Sequence, residues 1–343
     1  MQFVVETQDL LMGYPQQRGW RSLMKRQPLK VVLDRVSTAI ERGEIFGIAG
    51  PNGAGKTTLV KILSTLVIPV SGTARVLGMD VVRDSMAVRR SIGVVYGDER
   101  SLFWRLSGFE NLLFYASLYG LSGKEARRRV HELLELVGLE SAADLRMHHY
   151  SSGMKQRTAI ARGLLNDPEL LIMDEPTRTV DPLAAAELRS LVKERVLDSG
   201  RTVLLATNDM AEAEQLCHRV AFISHGKIQM SGNLEELRSA FQLDEVHHIV
   251  VSGMRWSSFD FLRDVVQSVD VLPLDTGQQQ LELRTAPGSA AVPVVVRRIV
   301  EEGGDIWSCT RKQLSMEEIF AMAVERGKEG ARAEEAPAEG VLV

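Results

Sequence analysis

The chain has 343 residues, with 41 Lys and Arg against 45 Asp and Glu and a formal net charge of −4. That balance lacks the dominant basic face of a nucleic-acid binder, so no nucleic-acid partner is expected, and the length fits a main domain with an appendage. Two cysteines without pair spacing or a secretion signal, Cys217 and Cys309, point to a reducing cytosol with neither disulfide nor zinc site. No apolar run approaches the ~18 residues of a membrane span, so action at a membrane requires spans from another chain.

Residues 1–95 alternate strand-like runs with turns. The basic stretch Gln16–Gln27, with Arg18, Trp20, Arg21, Lys25 and Arg26, reads either as a solvated hairpin or as a contact for lipid headgroups or a partner's cytosolic loop. The apolar run Ile45–Ala49 predicts a strand, and Leu59–Leu63 predicts a helix. Between them lies Gly50-Pro51-Asn52-Gly53-Ala54-Gly55-Lys56-Thr57-Thr58, a full phosphate-binding loop. Its glycines let successive backbone N–H groups converge on a polyphosphate, Lys56 brings a point charge to the β and γ phosphates, and the Thr57 hydroxyl is placed to ligate Mg²⁺. Strand, loop and helix stand in the order that binding of a nucleoside triphosphate needs. A hairpin follows at Thr73–Gly78, then the strand Ile92–Tyr96, then Gly97-Asp98.

Residues 99–167 turn helical. Glu110–Phe114 leads into Tyr119, and Ser122-Gly123-Lys124-Glu125 has the spacing of a capping box before Val130, Leu133, Leu134 and Val137. Phe103, Trp104 and Leu106 are apolar residues in a polar setting, and read either as core or as a contact surface. Paired histidines, His148-His149 and His247-His248, lack further ligands at metal spacing and read as surface or packing residues. Leu170–Met173 predicts a buried parallel strand delivering Asp174-Glu175 at its C-terminal end, followed by Pro176-Thr177. Asp174 suits a magnesium ligand, and Glu175 suits a group that orients or deprotonates an attacking water. The core resumes through the strand Thr202–Thr207, the helix Met210–Cys217, and Val220–Ser231.

From Asp244 the pattern becomes a small α/β appendage. Strands are predicted at Val246–Val251, Val269–Leu272 and Gln280–Leu283, with helices at Ser258–Val266 and Ala291–Glu302. Ser315 with Glu318 reads as the cap of a terminal helix, and residues 327–343, rich in Gly, Ala and Glu, as a disordered tail.

Tyr150-Ser151-Ser152-Gly153-Met154-Lys155-Gln156-Arg157 resembles the signature motif of ATP-binding cassette (ABC) proteins. With the phosphate loop and the acidic pair, the resemblance covers roughly residues 3 to 240. It implies a P-loop NTPase (RecA-like) α/β core with antiparallel β and helical subdomains over residues 1–240, the helical part about 99–167, and an accessory α/β domain over 244–326. It also implies a dimer with a second ABC ATPase chain, the same or homologous, in which the Ser151 hydroxyl and Gly153 N–H face a γ-phosphate held by the other chain. Asp181 matches the carboxylate of the loop after the acidic strand. Tyr14 stands where the family places an aromatic that stacks on adenine, although Tyr14-Pro15 also reads as a turn. The Ser-x-Gly-Met-Lys-Gln form of the signature, the segment Gly97–Ser107 and Ser315–Phe320 resemble the ATPase subunits of ABC-2 type exporters, those of drug, antibiotic, polysaccharide and sodium efflux. The partner implied is a polytopic membrane permease, with this chain peripheral at the cytoplasmic face of the membrane. The alternative is a soluble or regulatory ABC ATPase with weak hydrolysis.

Two positions depart from the family pattern. Asp98 replaces a Gln that touches Mg²⁺ and the attacking water; it is expected to ligate the metal while adding negative charge beside the γ-phosphate. Asn208 replaces a His that contacts the γ-phosphate; its amide still donates one hydrogen bond but takes up no proton, so slower hydrolysis with intact nucleotide binding is expected.

Overall fold

The computed structural model describes residues 3–15, 29–97, 101–241, 245–254, 262, 265–274, 276–286, 288–312 and 314–335. The basic stretch 16–27 and Asp98 lie outside the described residues. The chain divides into two units, Met1–Leu234 with Phe320–Val343, and Glu235–Ile319. The second begins nine residues earlier than the sequence change at Asp244 suggested.

In the first unit, β1 (Phe3–Pro15) and β2 (Leu29–Glu41) pair antiparallel. Tyr14 and Pro15 continue β1 opposite Lys30 and Leu29, so the turn reading of that dipeptide is corrected. β3 (Ile45–Ala49) delivers the phosphate loop to α1 (Lys56–Leu63). β4 (Ser71–Val76) and β5 (Met79–Asp80) form the expected hairpin through Leu77 and Gly78, both with positive φ (53° and 78°), the pair of left-handed residues that a tight two-residue connection requires. The antiparallel sheet is ordered β2-β1-β4-β5.

α2 (Ser85–Ser91) leads to β6 (Ile92–Tyr96), and the helical part follows as α3 (Gly108–Leu118), α4 (Gly123–Leu136) and α5 (Ser152–Gly163). The capping box lies at α3, where Ser107 and Glu110 satisfy each other's backbone N–H, rather than at Ser122–Glu125. Gly123, at φ 56°, departs from helical geometry between Ser122 and the Glu125 N–H that a capping box would use, and the Ser122 side chain makes no cap hydrogen bond.

β7 (Leu170–Asp174), α6 (Pro182–Leu191), β8 (Thr202–Thr207), α7 (Met210–Leu216), β9 (Arg219–Ser224) and β10 (Lys227–Asn233) complete the core, with a wider helical turn, Val192–Leu197, extending α6. The central sheet is ordered β10-β9-β3-β8-β7-β6, parallel except at the β10–β9 edge. Strand alternation divides the apolar residues between two cores: Ile45, Leu171, Met173, Val203 and Leu205 pack with the helical part, while Phe46, Ile48, Leu170, Ile172 and Leu204 pack with α1 and the antiparallel sheet. Each such buried side chain contributes about 1.5–3 kcal/mol. Covering on both faces explains why these strands read as unbroken apolar runs.

α8 (Leu234–Ser239) opens the second unit, whose sheet is ordered β12-β13-β11-β14 from β11 (Glu245–Ser252), β12 (Ser268–Pro273), β13 (Gln279–Thr285) and β14 (Asp305–Lys312). α9 (Ala291–Glu301) buries Ala291, Val295 and Ile299, a four-residue repeat, against this unit's core. The expected helix Ser258–Val266 falls largely outside the described residues. β14 escaped the sequence reading because it is an exposed edge strand with no apolar alternation. In α10 (Met316–Glu335), Ser315 and Glu318 form the predicted cap. That helix runs to Glu335, so disorder from 327 is corrected for its first nine residues.

Candidate functional site

The phosphate loop is shaped by glycines at positions that no other residue suits. Gly53 and Gly55 have φ of 81° and 115°, and a Cβ on Gly50 would lie 2.1 Å from the Ile223 carbonyl oxygen. The loop is fastened to its sheet by Gly50 N–H donating to Thr207 O at 3.3 Å and by Gly226 N–H donating to Ala54 O at 3.0 Å. Lys56 is 3% exposed, and its Nζ donates to Gly50 O at 2.7 Å and Pro51 O at 3.1 Å. Burial pushes its pKa below the ordinary lysine value, while Glu175 and Asp174 work the other way.

Thr57 Oγ1 donates to Asp174 Oδ1 at 3.3 Å. Asp174 closes β7 and is 6% exposed; burial holds its carboxyl above the usual range, with the Thr57 hydrogen bond acting in the opposite sense. Next to it, Glu175 has a φ of 49°, and its N–H donates to Ala206 O at 2.7 Å. That left-handed corner turns the chain sharply off the sheet. It also explains Gly97, where a Cβ would sit 2.1 Å from the Glu175 carbonyl oxygen. The Glu175 carboxylate faces Lys56 Nζ at 3.8 Å and accepts from Arg178 Nη1 at 3.1 Å. Asn208, beyond the end of β8, donates through Nδ2 to Asn52 Oδ1 of the phosphate loop at 3.2 Å.

Lys56, Thr57, Asp174, Glu175 and Asn208 therefore converge at the C-terminal ends of β3, β7 and β8, where open parallel sheets bind ligands. Ser151, Gly153 and Asp181 form a separate cluster. Ser151 caps α5 by accepting from Met154 N–H at 3.2 Å, and Asp181 caps α6 by accepting from Ala184 N–H at 3.0 Å. Gly153 is buried against the start of α6; a Cβ there would lie 2.8 Å from Ala184 Cβ. Tyr14 is 39% exposed on β1.

One residue of this region went unread in the sequence. Glu212, on α7, is 1% exposed, and accepts from Thr177 Oγ1 at 2.8 Å and Thr207 Oγ1 at 2.6 Å. Asp209-x-x-Glu212 has capping-box spacing, and Asp209 does accept from Glu212 N–H at 3.0 Å. Glu212 does not reciprocate: Asp209 N–H donates to Thr207 Oγ1 at 3.0 Å, which frees the glutamate to point inward.

Residues 33–178 match the family described as ABC transporter. The daunorubicin resistance ATP-binding protein DrrA3 of Streptomyces coeruleorubidus is 35% identical over 301 residues, 86% of this chain and 92% of that protein. The ATP-binding protein NatA of Bacillus subtilis is 35% identical over 67% of this chain and 93% of its own length, and the Nod factor export ATP-binding protein I of a Rhizobium species is 41% identical over 71% and 79%. Among solved structures, cbiO1 of Clostridium perfringens, part of the ABC transporter complex cbiONQ, aligns with a TM-score of 0.62 at 29% identity, covering 70% of this chain and 92% of that one. A dimeric ATP-binding cassette in a post-hydrolysis state, bound to ADP and Pi, aligns at 0.57 and 26% identity, over 67% and 98%.

Proposed function

Because the chain belongs to the ATP-binding cassette transporter family, among the ATP-binding proteins of ABC-2 type exporters, we propose that it hydrolyses ATP to drive a membrane exporter. The observation that carries this reading is the meeting of Lys56 Nζ and the Glu175 carboxylate at 3.8 Å, beside the Thr57–Asp174 pair. A phosphate-binding cation and a carboxylate suited to position water thus share one site.

In this reading Lys56 exchanges the carbonyls of Gly50 and Pro51 for the β and γ phosphates of ATP, and the backbone N–H groups of Gly53–Thr58 cradle them. Glu175 orients the attacking water and accepts its proton. Asn208 contributes one hydrogen bond to the γ-phosphate and no proton, which keeps turnover low. Thr57 and Asp174 are the residues that would hold Mg²⁺, joined in the sequence by Asp98. The fit rests on a hydroxyl and a carboxylate at 3.3 Å, the carboxylate's burial disfavouring its charge more than the Thr57 hydrogen bond and the nearby lysines favour it. When bound, the ion supplies positive charge to the phosphate oxygens.

Ser151 and Gly153, at the start of α5, would close on ATP held by a second cassette, the same chain or a homologue, with Asp181 lining the junction and Tyr14 stacking on adenine. Among the described residues no helix is long and apolar enough to cross a membrane. The spans are assigned to a polytopic permease, with this chain peripheral on the cytoplasmic side. Phe103 and Trp104, 44% and 61% exposed, and the half-buried Leu106 are the proposed seat for a cytosolic helix of that permease.

The test is purification of the tagged chain from its native membranes in mild detergent, with ATPase assay of what is recovered. A co-purifying polytopic protein and ATP turnover support the reading. Recovery with ribosomes or DNA, or as a soluble chain alone, would overturn it.

A further inference from the structure

We propose that Glu212 is a positioning residue for ATP hydrolysis, a buried clamp that fixes the loop carrying Glu175 against the strand end carrying Asn208. The proposal rests on the hydrolytic reading above and adds to it a residue outside the phosphate loop, the acidic pair and the signature segment.

The geometry of the clamp is bidentate. Glu212 Oε1 accepts from Thr177 Oγ1 at 2.8 Å, and Oε2 accepts from Thr207 Oγ1 at 2.6 Å. Thr177 lies two residues after Glu175, and Thr207 immediately precedes Asn208. Thr207 is held in turn: its Oγ1 accepts Asp209 N–H at 3.0 Å, and its carbonyl accepts Gly50 N–H at 3.3 Å, tying the same point to the phosphate loop. One carboxylate therefore joins the supports of the three chemical elements of the site.

Packing does not explain a glutamate here. α7 buries Met210, Ala213 and Leu216, and an aliphatic residue at 212 would fill the same interior without desolvating a charge. A carboxylate at 1% exposure needs its two hydroxyl donors, one from the loop after β7 and the other from the end of β8. Such an arrangement is costly as packing and effective as registration: Thr177 cannot move away from Thr207 without leaving a buried oxygen unpaired. Glu212 is buried, and both its carboxylate oxygens are engaged by Thr177 and Thr207 rather than by the phosphate loop. Its effect falls on turnover through the relative placement of Glu175 and Asn208, and little on nucleotide affinity.

The experiment compares the full-length protein with Glu212→Ala, Glu212→Gln, Thr177→Val and Thr207→Val, singly and with each threonine variant combined with Glu212→Ala. Misplacing reacting groups by an ångström costs on the order of a hundredfold, so Glu212→Ala is expected to lower kcat by at least about tenfold with the ATP KM within about threefold. Glutamine can accept from one threonine and donate to the other, so Glu212→Gln restores most of the rate. Either threonine substitution adds little once Glu212 is gone, the non-additivity of one coupled unit. In nucleotide-free protein, hydrogen exchange of Glu212→Ala quickens at both 176–181 and 207–211 and stays unchanged at 53–58. Unaltered kcat in Glu212→Ala, additive losses, or exchange that quickens in α7 alone would overturn the clamp. A parent that binds ATP without hydrolysing it would instead overturn the hydrolytic reading, and the exchange pattern would still decide the clamp.

Discussion

Arg178 Nη1 lies 3.1 Å from Glu175 Oε2, three residues along the same loop, so the carboxylate proposed to direct water is engaged by an arginine of its own chain. Arg178 is 65% exposed and Glu175 13%. A half-solvated pair of this kind is worth about 0.2–1 kcal/mol, and it occupies lone pairs that a water would use. Arg178→Ala is therefore expected to raise kcat by up to about fivefold, the rate equivalent of that energy. The measurement is steady-state ATP turnover at saturating Mg-ATP. A fall in kcat would mean that Arg178 holds Glu175 in its productive pose.

Removing the carboxylate itself should separate chemistry from binding. Glu175→Gln retains the size and hydrogen-bonding reach of the side chain but cannot accept a proton, a loss of about 10²–10⁴ in rate for a general base. Nucleotide affinity, assigned in the proposed function to the phosphate loop and Lys56, should stay within about threefold. Single-turnover hydrolysis alongside equilibrium binding of a fluorescent ATP analogue checks both, and equal losses in the two would remove Glu175 from the proton-transfer role.

What the sequence made legible follows from locality. The phosphate loop, the acidic pair and the buried strands β3, β7 and β8 are each signalled by contiguous residues whose chemistry has one geometric outcome. Caps are local too, yet competition between neighbours decides them: Ser122 loses its box to the left-handed Gly123, and Ser107, which the sequence reading did not take as a cap, gains one. The clamp at Glu212 joins Thr177 and Thr207, 35 and 5 residues away. No periodicity encodes that convergence, because β7 and β8 become neighbours only in the sheet. Edge strand β14 was illegible for a different reason: an exposed strand has no reason to alternate.

Asn208 already reaches the phosphate loop through Asn52 at 3.2 Å, so the position itself is well placed and its chemistry is what differs. An imidazole there would add a titratable group near the γ-phosphate. Asn208→His is expected to raise kcat about tenfold, less than the roughly 10²–10⁴ of a full acid–base group because the asparagine already donates one hydrogen bond, with binding unchanged. Turnover no faster than the parent's would show that the asparagine does not limit the rate.

Trp104 carries the largest exposed aromatic surface of the proposed permease seat, with Arg105 Cζ 4.7 Å from the ring centroid. Phe103 stands beside it, braced edge-on against Phe114 at 4.9 Å between ring centroids. Truncating an anchoring aromatic typically costs about 2 kcal/mol or more in an interface. Trp104→Ala with Leu106→Ala should thus reduce co-purifying membrane protein at least about tenfold while the isolated chain binds ATP normally. Undiminished membrane recovery would assign these residues to the chain's own surface.

The buried Glu212 also predicts how stability varies with pH. Burial raises its carboxyl above the ordinary glutamate value, an effect that the hydrogen bonds from Thr207 and Thr177 oppose and the nearby Asp209 reinforces. The folded chain therefore binds this proton more tightly than the unfolded chain does. Its contribution to stability is fully present below the unfolded value, about 4.3, and is lost as pH rises through the higher folded value. Glu212→Gln has no such proton to lose. Relative to the parent, the glutamine variant should gain stability as pH rises across that window and hold a constant difference above it. Urea midpoints of nucleotide-free parent and variant, taken at half-unit steps from pH 4.5 to 8, provide the check, and a difference that stays flat throughout would mean that the carboxylate enters the fold with no proton-linked cost.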